Sequence, residues 1–151
     1  MQKVYFNLSH SGNYVICAMA DDEVGVDVQV RAGIRETLLR RFFSEEERKR
    51  VEECGEATGK ERTFAQIWAV REAETKLTGR GIGQLLDGRG VNDGERKVTG
   101  GKNAPFCIWK GMLDAEHAWA VAGYPKLSEG ETAAPEPVFV DGGELFDERM
   151  F

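Results

Sequence analysis

Three side chains could do chemistry together: Asp27, Glu72 and Lys76. Asp27 lies in VGVDVQV, and an acid on a valine-rich strand is costly if it is buried without a partner. It is either an acid at a solvent edge or the holder of a cation. Magnesium takes one or two carboxylates and leaves places for water and phosphate oxygens, so Asp27 needs only one further acid. The segment WAVREAETKLTGRG, residues 68–81, supplies a candidate. Trp68, Glu72 and Lys76 are spaced i, i+4 and i+8, roughly on one helix face, with Arg71 beside that line. Read by itself, Glu72 with Lys76 is also an ordinary helix-stabilising ion pair. His10, in LSHSGN, could donate to a phosphate alongside Ser9 and nearby amides; the plain alternative is a surface histidine. SHSG lacks the glycine that precedes serine in a nucleophile elbow, and neither GRGIG nor GKNAP makes a phosphate loop.

Those residues need elements to hold them. Residues 4–8 and 14–20 are β-prone runs with Ser11-Gly12-Asn13 between them, which predicts a hairpin. VGVDVQV alternates strictly, so Val24, Val26, Val28 and Val30 should face the core while Gly25, Asp27 and Gln29 face the other way. A basic helix is expected over residues 34–42. SEEERKRVEEC then opens with Ser44 as N-cap and Glu47 as its capping-box partner. Residues 54–59 read as a loop. The longest helix is expected over residues 60–78, with Phe64, Ile67, Trp68 and Leu77 on its apolar side and Gly79 closing it. Further on, a weak strand is expected near residues 96–99. APFCIWKGML and HAWAVAGY are stronger strands separated by Asp114-Ala115-Glu116. Residues 127–136 read as an acidic linker, PVFVD as a last strand and residues 144–150 as a helical turn. The expected fold is α+β, one domain over residues 1–126 with an antiparallel sheet and one long packed helix, then an acidic extension over 127–151.

Composition narrows the function classes. The chain has 151 residues, 41% of them hydrophobic and 30% charged, enough to bury a core. Its net charge of -6 argues against general nucleic-acid binding. No apolar run approaches the roughly 18 residues of a membrane span, and no basic start followed by an apolar block marks a secretory signal. Three widely spaced cysteines form neither a disulfide framework nor a zinc pattern, which points to reduced thiols and a cytoplasmic protein. Charge is uneven: residues 31–50 hold seven basic residues against four acids, a local +3. Such a patch on an acidic protein is either solvated helix surface or a seat for an acidic partner.

The order of these pieces carries more than any one of them. FNLSHSGNYVICAMADDEVGVDVQ, then RFFSEEE, then WAVREAETKLTGRG strongly resembles the 4'-phosphopantetheinyl transferase superfamily, and most of all its surfactin-synthetase-activating type. The likeness runs over residues 4–124. It implies a holo-[acyl-carrier-protein] synthase activity: magnesium-dependent transfer of phosphopantetheine from coenzyme A to a carrier-protein serine. By the motifs, Asp27 and Glu72 would hold Mg2+, with Gln29 as a third ligand. Ser9 and His10 would contact the nucleotide's 3'-phosphate. Arg71 would face the coenzyme A phosphates, and Lys76 would bind the pyrophosphate and help the leaving group depart. Arg40, Arg41 and Phe43 would dock an acidic carrier protein, the phenylalanines packing underneath or meeting it.

This chain departs from the family pattern in three places. Gln29 stands where a second strand acid is usual, and Arg71 stands where lysine is usual. The match covers only the second of two similar halves found in surfactin-type enzymes, whose active site lies between the halves. The resemblance therefore implies a homo-oligomer that borrows basic residues across an interface. The other reading is a non-catalytic module that binds coenzyme A or a carrier protein.

Overall fold

A computed structural model describes residues 3–79, 81, 98–99, 105–124 and 138. The acidic linker, PVFVD apart from Val138, the 144–150 turn and most of the segment before residue 98 lie outside the described residues. The order is β1 (Tyr5–Ser11), β2 (Tyr14–Ala20), β3 (Val24–Val30), α1 (Glu36–Phe42), α2 (Glu45–Glu53), α3 (Ala57–Thr78), β4 (Val98–Thr99), β5 (Pro105–Met112) and β6 (His117–Gly123). The strands form two antiparallel sheets, β1-β2 and β3-β6-β5-β4, so the expected α+β architecture holds with two sheets in place of one.

α3 organises the molecule because it is covered on two sides. Phe64, Ile67 and Trp68 pack with Leu39, Phe42, Phe43 and Val51 from the α1–α2 region. Ala69, Val70, Ala73 and Leu77 pack with Phe106, Ala120 and Ala122 of the larger sheet. An amphipathic helix needs one apolar face; α3 needs nearly two, which is why residues 67–71 are buried without a break. It starts at Ala57, three residues earlier than expected, so the loop before it is confined to residues 54–56. Gly79 takes φ 64° and its N–H bonds the carbonyl of Thr75 at 3.0 Å, closing the helix.

The alternation in β3 reads correctly for three valines, leaves Val30 only half-buried, and misses the helix. Val24, Val26 and Val28 are buried, as expected. The face carrying Gly25 and Asp27 is buried too, and it is this face that meets α3. A Cβ on Gly25 would lie 2.1 Å from the carbonyl oxygen of Ala73 and 2.5 Å from the nitrogen of Leu77. Only glycine lets the two backbones come this close. Opposite it in register stand Ala122 and Ala120, partners of Gly25 and Asp27, which keep the same face low.

β3 lies at the end of the larger sheet, and its outward N–H groups have no neighbouring strand. Side chains of β1 take that place. The N–H of Val26 donates to Asn7 Oδ1 at 3.0 Å, that of Val28 to Ser9 Oγ at 3.1 Å and that of Val30 to Ser11 Oγ at 2.9 Å. Alternate residues of a strand point the same way, so the N-x-S-x-S spacing sets three acceptors at the rise of β3. Buried backbone donors are thereby paired. The hairpin is longer than expected, since His10 and Ser11 belong to β1 and only Gly12 and Asn13 make the turn.

Candidate active site

Asp27 is 6% exposed, and its carboxylate is held from two directions. Ser9 Oγ donates to Oδ1 at 2.8 Å, and Lys76 Nζ donates to the same oxygen at 2.9 Å. Lys76 Nζ also donates to the carbonyl of Val26 at 2.9 Å. Residues from β1, β3 and α3, up to 67 positions apart in sequence from Ser9 to Lys76, meet at one oxygen. The other oxygen, Oδ2, is buried and makes no hydrogen bond among the described residues. Burial pushes the Asp27 carboxyl above the ordinary carboxylate range, against the downward pull of Lys76 and Ser9.

Glu72 belongs to the same group. Its carboxyl is also raised, first by burial and then by the negative field of Asp27, with Lys76 and Arg35 pulling the other way. Arg35 is a residue that sequence reasoning missed; the only signal was its place in the basic segment. Lys76 is thus ion-paired with Asp27 and its field reaches Glu72, while Asp27 keeps a buried acceptor oxygen with no hydrogen bond among the described residues. That donor set fits a divalent cation held by oxygen ligands. Gln29 is half-buried near the end of β3, and its Nε2 donates to the carbonyl of Val30 at 3.3 Å, so the amide oxygen is the atom that could accept a cation. The set holds two acids, and no cluster of three His, Cys, Asp or Glu side chains suited to a metal occurs among the described residues.

Ser9 is buried on β1, while His10, the next residue, points to solvent on the other face of the hairpin. Asn7 and Ser11 flank Ser9 as rungs of the same side-chain ladder, and their alternation was the signal for them.

Two expected site residues lie elsewhere. Arg71 is 2% exposed, ion-paired with the equally buried Glu47, with its guanidinium 5.9 Å from the centre of the Phe43 ring. It joins α3 to α2 inside the molecule and does not share the Asp27–Lys76 group. The reason is rotational: Arg71 follows Phe64, Ile67 and Trp68 at i+7, i+4 and i+3, so it continues the packed face. Glu47 is shared, since Ser44 N–H donates to its Oε2 at 2.7 Å in the capping box that the sequence indicated. Phe43 is 5% exposed and stacks on Phe64 at 5.0 Å and Trp68 at 6.4 Å. It cannot meet a partner directly; of the two expectations for it, packing underneath is the one observed. Arg40 and Arg41 lie above it at the surface, Arg40 80% exposed beside Glu36 and Arg41 over the Phe42 ring.

Residues 23–122 match the family model of the 4'-phosphopantetheinyl transferase superfamily, a span that takes in Asp27, Glu72 and Lys76. The chain belongs to that superfamily. Among curated transferases of this superfamily, the 4'-phosphopantetheinyl transferase psf-1 of Bacillus pumilus is 40% identical over 121 residues, covering 78% of this chain and 52% of the relative. The 4'-phosphopantetheinyl transferase Sfp of Bacillus subtilis strain 168 is 30% identical over 135 residues, 85% of this chain and 59% of the relative. A phosphopantetheinyl transferase of Thraustochytrium sp. is 29% identical over 147 residues. The chain spans about half the length of the curated relatives it matches. Superfamily membership fits the fold seen here, two antiparallel sheets against one 22-residue helix. No helix among the described residues is long and apolar enough to cross a membrane.

Proposed function

We propose that this phosphopantetheinyl-transferase-like chain transfers the 4'-phosphopantetheine group from coenzyme A to a serine hydroxyl of a carrier protein. The observation that carries the reading is the meeting of Ser9, Asp27 and Lys76 within 2.9 Å contacts, with Glu72 beside them. The serine oxygen attacks the phosphorus that bears the pantetheine arm. The phosphorus–oxygen bond to the nucleotide phosphate breaks, adenosine 3',5'-bisphosphate leaves, and the serine proton passes to a base. Such a reaction needs positioning and charge neutralisation more than covalent help. Lys76 supplies fixed positive charge where the leaving phosphate gains negative charge. Glu72, whose carboxyl is raised by burial and by Asp27, or a metal-bound water is assigned as the proton acceptor. Asp27, Glu72 and the amide oxygen of Gln29 would hold Mg2+, which when bound supplies Lewis-acid polarisation of phosphate oxygens. Exposed His10 is assigned to the 3'-phosphate, and Ser9, whose hydroxyl is engaged by the Val28 N–H and Asp27, to holding the Asp27 carboxylate in place. Arg71, held by Glu47, positions the helix that bears Glu72.

The direct test is to mix the protein with magnesium, coenzyme A and several apo-carrier proteins and to weigh the carriers. A mass gain on serine is expected. Coenzyme A binding with no mass gain on any carrier would favour a non-catalytic binding module, the reading that the uncharged Gln29 supports.

The acidic partner is assigned to the surface carrying Arg40 and Arg41. Arg40→Glu with Arg41→Glu is expected to raise KM for carrier protein about tenfold or more and to leave KM for coenzyme A unchanged. An equal rise in both would assign the effect to misfolding.

Self-association is part of the proposal, and the hairpin offers a face for it. Val4, Phe6, Leu8, Val15 and Met19 are all more than half exposed on one side of β1–β2. Contiguous exposed apolar side chains of this kind mark an interface. Light scattering of the active protein should give a mass above that of one chain; a fully active monomer would defeat the oligomer assignment. A cytoplasmic location is proposed with it.

A further inference from the structure

A second polar cluster stands apart from the Asp27 group. His117 opens β6 and is 8% exposed. Its backbone N–H donates to Asp114 Oδ1 at 2.8 Å, and its ring Nδ1 lies 2.9 and 3.0 Å from the two oxygens of that carboxylate. The N–H of Glu116 donates to the same Oδ1 at 2.7 Å. Tyr14, the first residue of β2, also hydrogen-bonds Asp114, and its ring meets the His117 ring edge-on at 4.7 Å. The His117 bond is the largest of the effects that hold the Asp114 carboxyl down at about 2. A carboxylate on Nδ1 fixes the ring's orientation and the site of its proton. The opposite nitrogen, Nε2, is buried and faces the turn of the hairpin: a Cβ on Gly12, where φ is 56°, would lie 2.5 Å from it.

We infer that Asp114, His117 and Tyr14 form a latch that holds the β1–β2 hairpin against the end of β3 and thereby sets Ser9 against Asp27 and His10 for the nucleotide end of coenzyme A. His117 pairs with Val30, and Tyr14 pairs with Ser11. Ser11 Oγ accepts the Val30 N–H, so the latch sits on the last rung of the side-chain ladder. Ser9, the next rung, accepts the Val28 N–H and donates to Asp27. The hairpin shares no backbone ladder with the larger sheet, so its placement depends on these side chains and on packing. The three are positioning residues, since none touches the Asp27 group. The link to coenzyme A rests on the functional reading above; the latch itself does not.

The test uses the whole chain, with Tyr14→Phe as the mild variant and His117→Ala as the severe one. Amide hydrogen exchange reads the ladder directly at Val28 and Val30, with Val70 on α3 as the internal reference. Tyr14→Phe should speed exchange at Val28 and Val30 about fivefold, the loss of roughly one net hydrogen bond, and His117→Ala should speed it further. Exchange at Val70 should be unchanged in Tyr14→Phe. KM for coenzyme A should rise by a similar factor while KM for the apo-carrier protein stays constant. Unchanged exchange at Val28 and Val30 in both variants would overturn the latch. So would equal acceleration at Val70 in Tyr14→Phe, which would mean a general loss of stability. Faster ladder exchange with an unchanged KM for coenzyme A would overturn the positioning role. Failure of the wild-type chain to bind coenzyme A would instead overturn the functional reading, with the exchange arm still deciding whether the latch exists.

Discussion

Arg71→Met should lower the free energy of unfolding by about 3–5 kcal/mol, the cost of removing one partner of a buried ion pair. Arg71 and Glu47 each keep 2% of their side-chain surface exposed, so water cannot take over the role of the lost guanidinium. Methionine fills similar length, which limits the cavity contribution. Adding Glu47→Gln should recover more than half of the loss. Glutamine removes the buried charge yet keeps an oxygen for the Ser44 N–H, so the cap of α2 survives. Urea denaturation of the two single variants and the double variant measures the coupling. A loss under about 1 kcal/mol in Arg71→Met would show that the pair is not the buried joint between α2 and α3.

Lys76→Met should reduce the rate of phosphopantetheine transfer at saturating coenzyme A by roughly 10²–10³-fold, the usual cost of losing one preorganised charge at the reacting phosphate. The fold should survive, because Lys76 is partly exposed and its stem is matched by methionine. A second readout is the acid limb of the pH profile. Asp27 is already raised by burial, and Lys76 is the foremost influence lowering it. Removing the lysine takes that influence away, so Asp27 should protonate at higher pH, and the residual activity should fall off at higher pH than in the wild type. Single-turnover mass spectrometry across pH supplies both numbers. Transfer within tenfold of wild type would remove Lys76 from the chemistry.

Sequence order singled out Ser9, Asp27, Glu72 and Lys76, because they fall in blocks that recur in a fixed order and their chemistry is local to residue type. That Ser9 and Lys76 meet at one oxygen of Asp27 was not legible, since it depends on how far α3 slides along β3. Gly25 sets that approach, and an alternating strand reads the same whether its small residue is packed or open. Arg71 was assigned from motif neighbours, yet helical spacing already put it with Phe64, Ile67 and Trp68; charge drew it outward on paper while Glu47 keeps it inside. Which of its two expected positions Phe43 takes was not legible for the same kind of reason: basic neighbours suggested a surface, and stacking on Phe64 and Trp68 puts it underneath. The capping box at Ser44 and Glu47 was legible in full because capping is settled within four residues. The side-chain ladder could have been anticipated from N-x-S-x-S in a β-prone run, where three hydrogen-bonding side chains share one face.

That ladder also bears on how the protein survives at high concentration. An outer strand with a row of open amides invites a stranger's strand to add on, and repeated addition ends in aggregates. On β3 those amides are closed by Asn7, Ser9 and Ser11, which accept but offer no backbone of their own in return. The sheet therefore stops growing at the strand that carries Asp27.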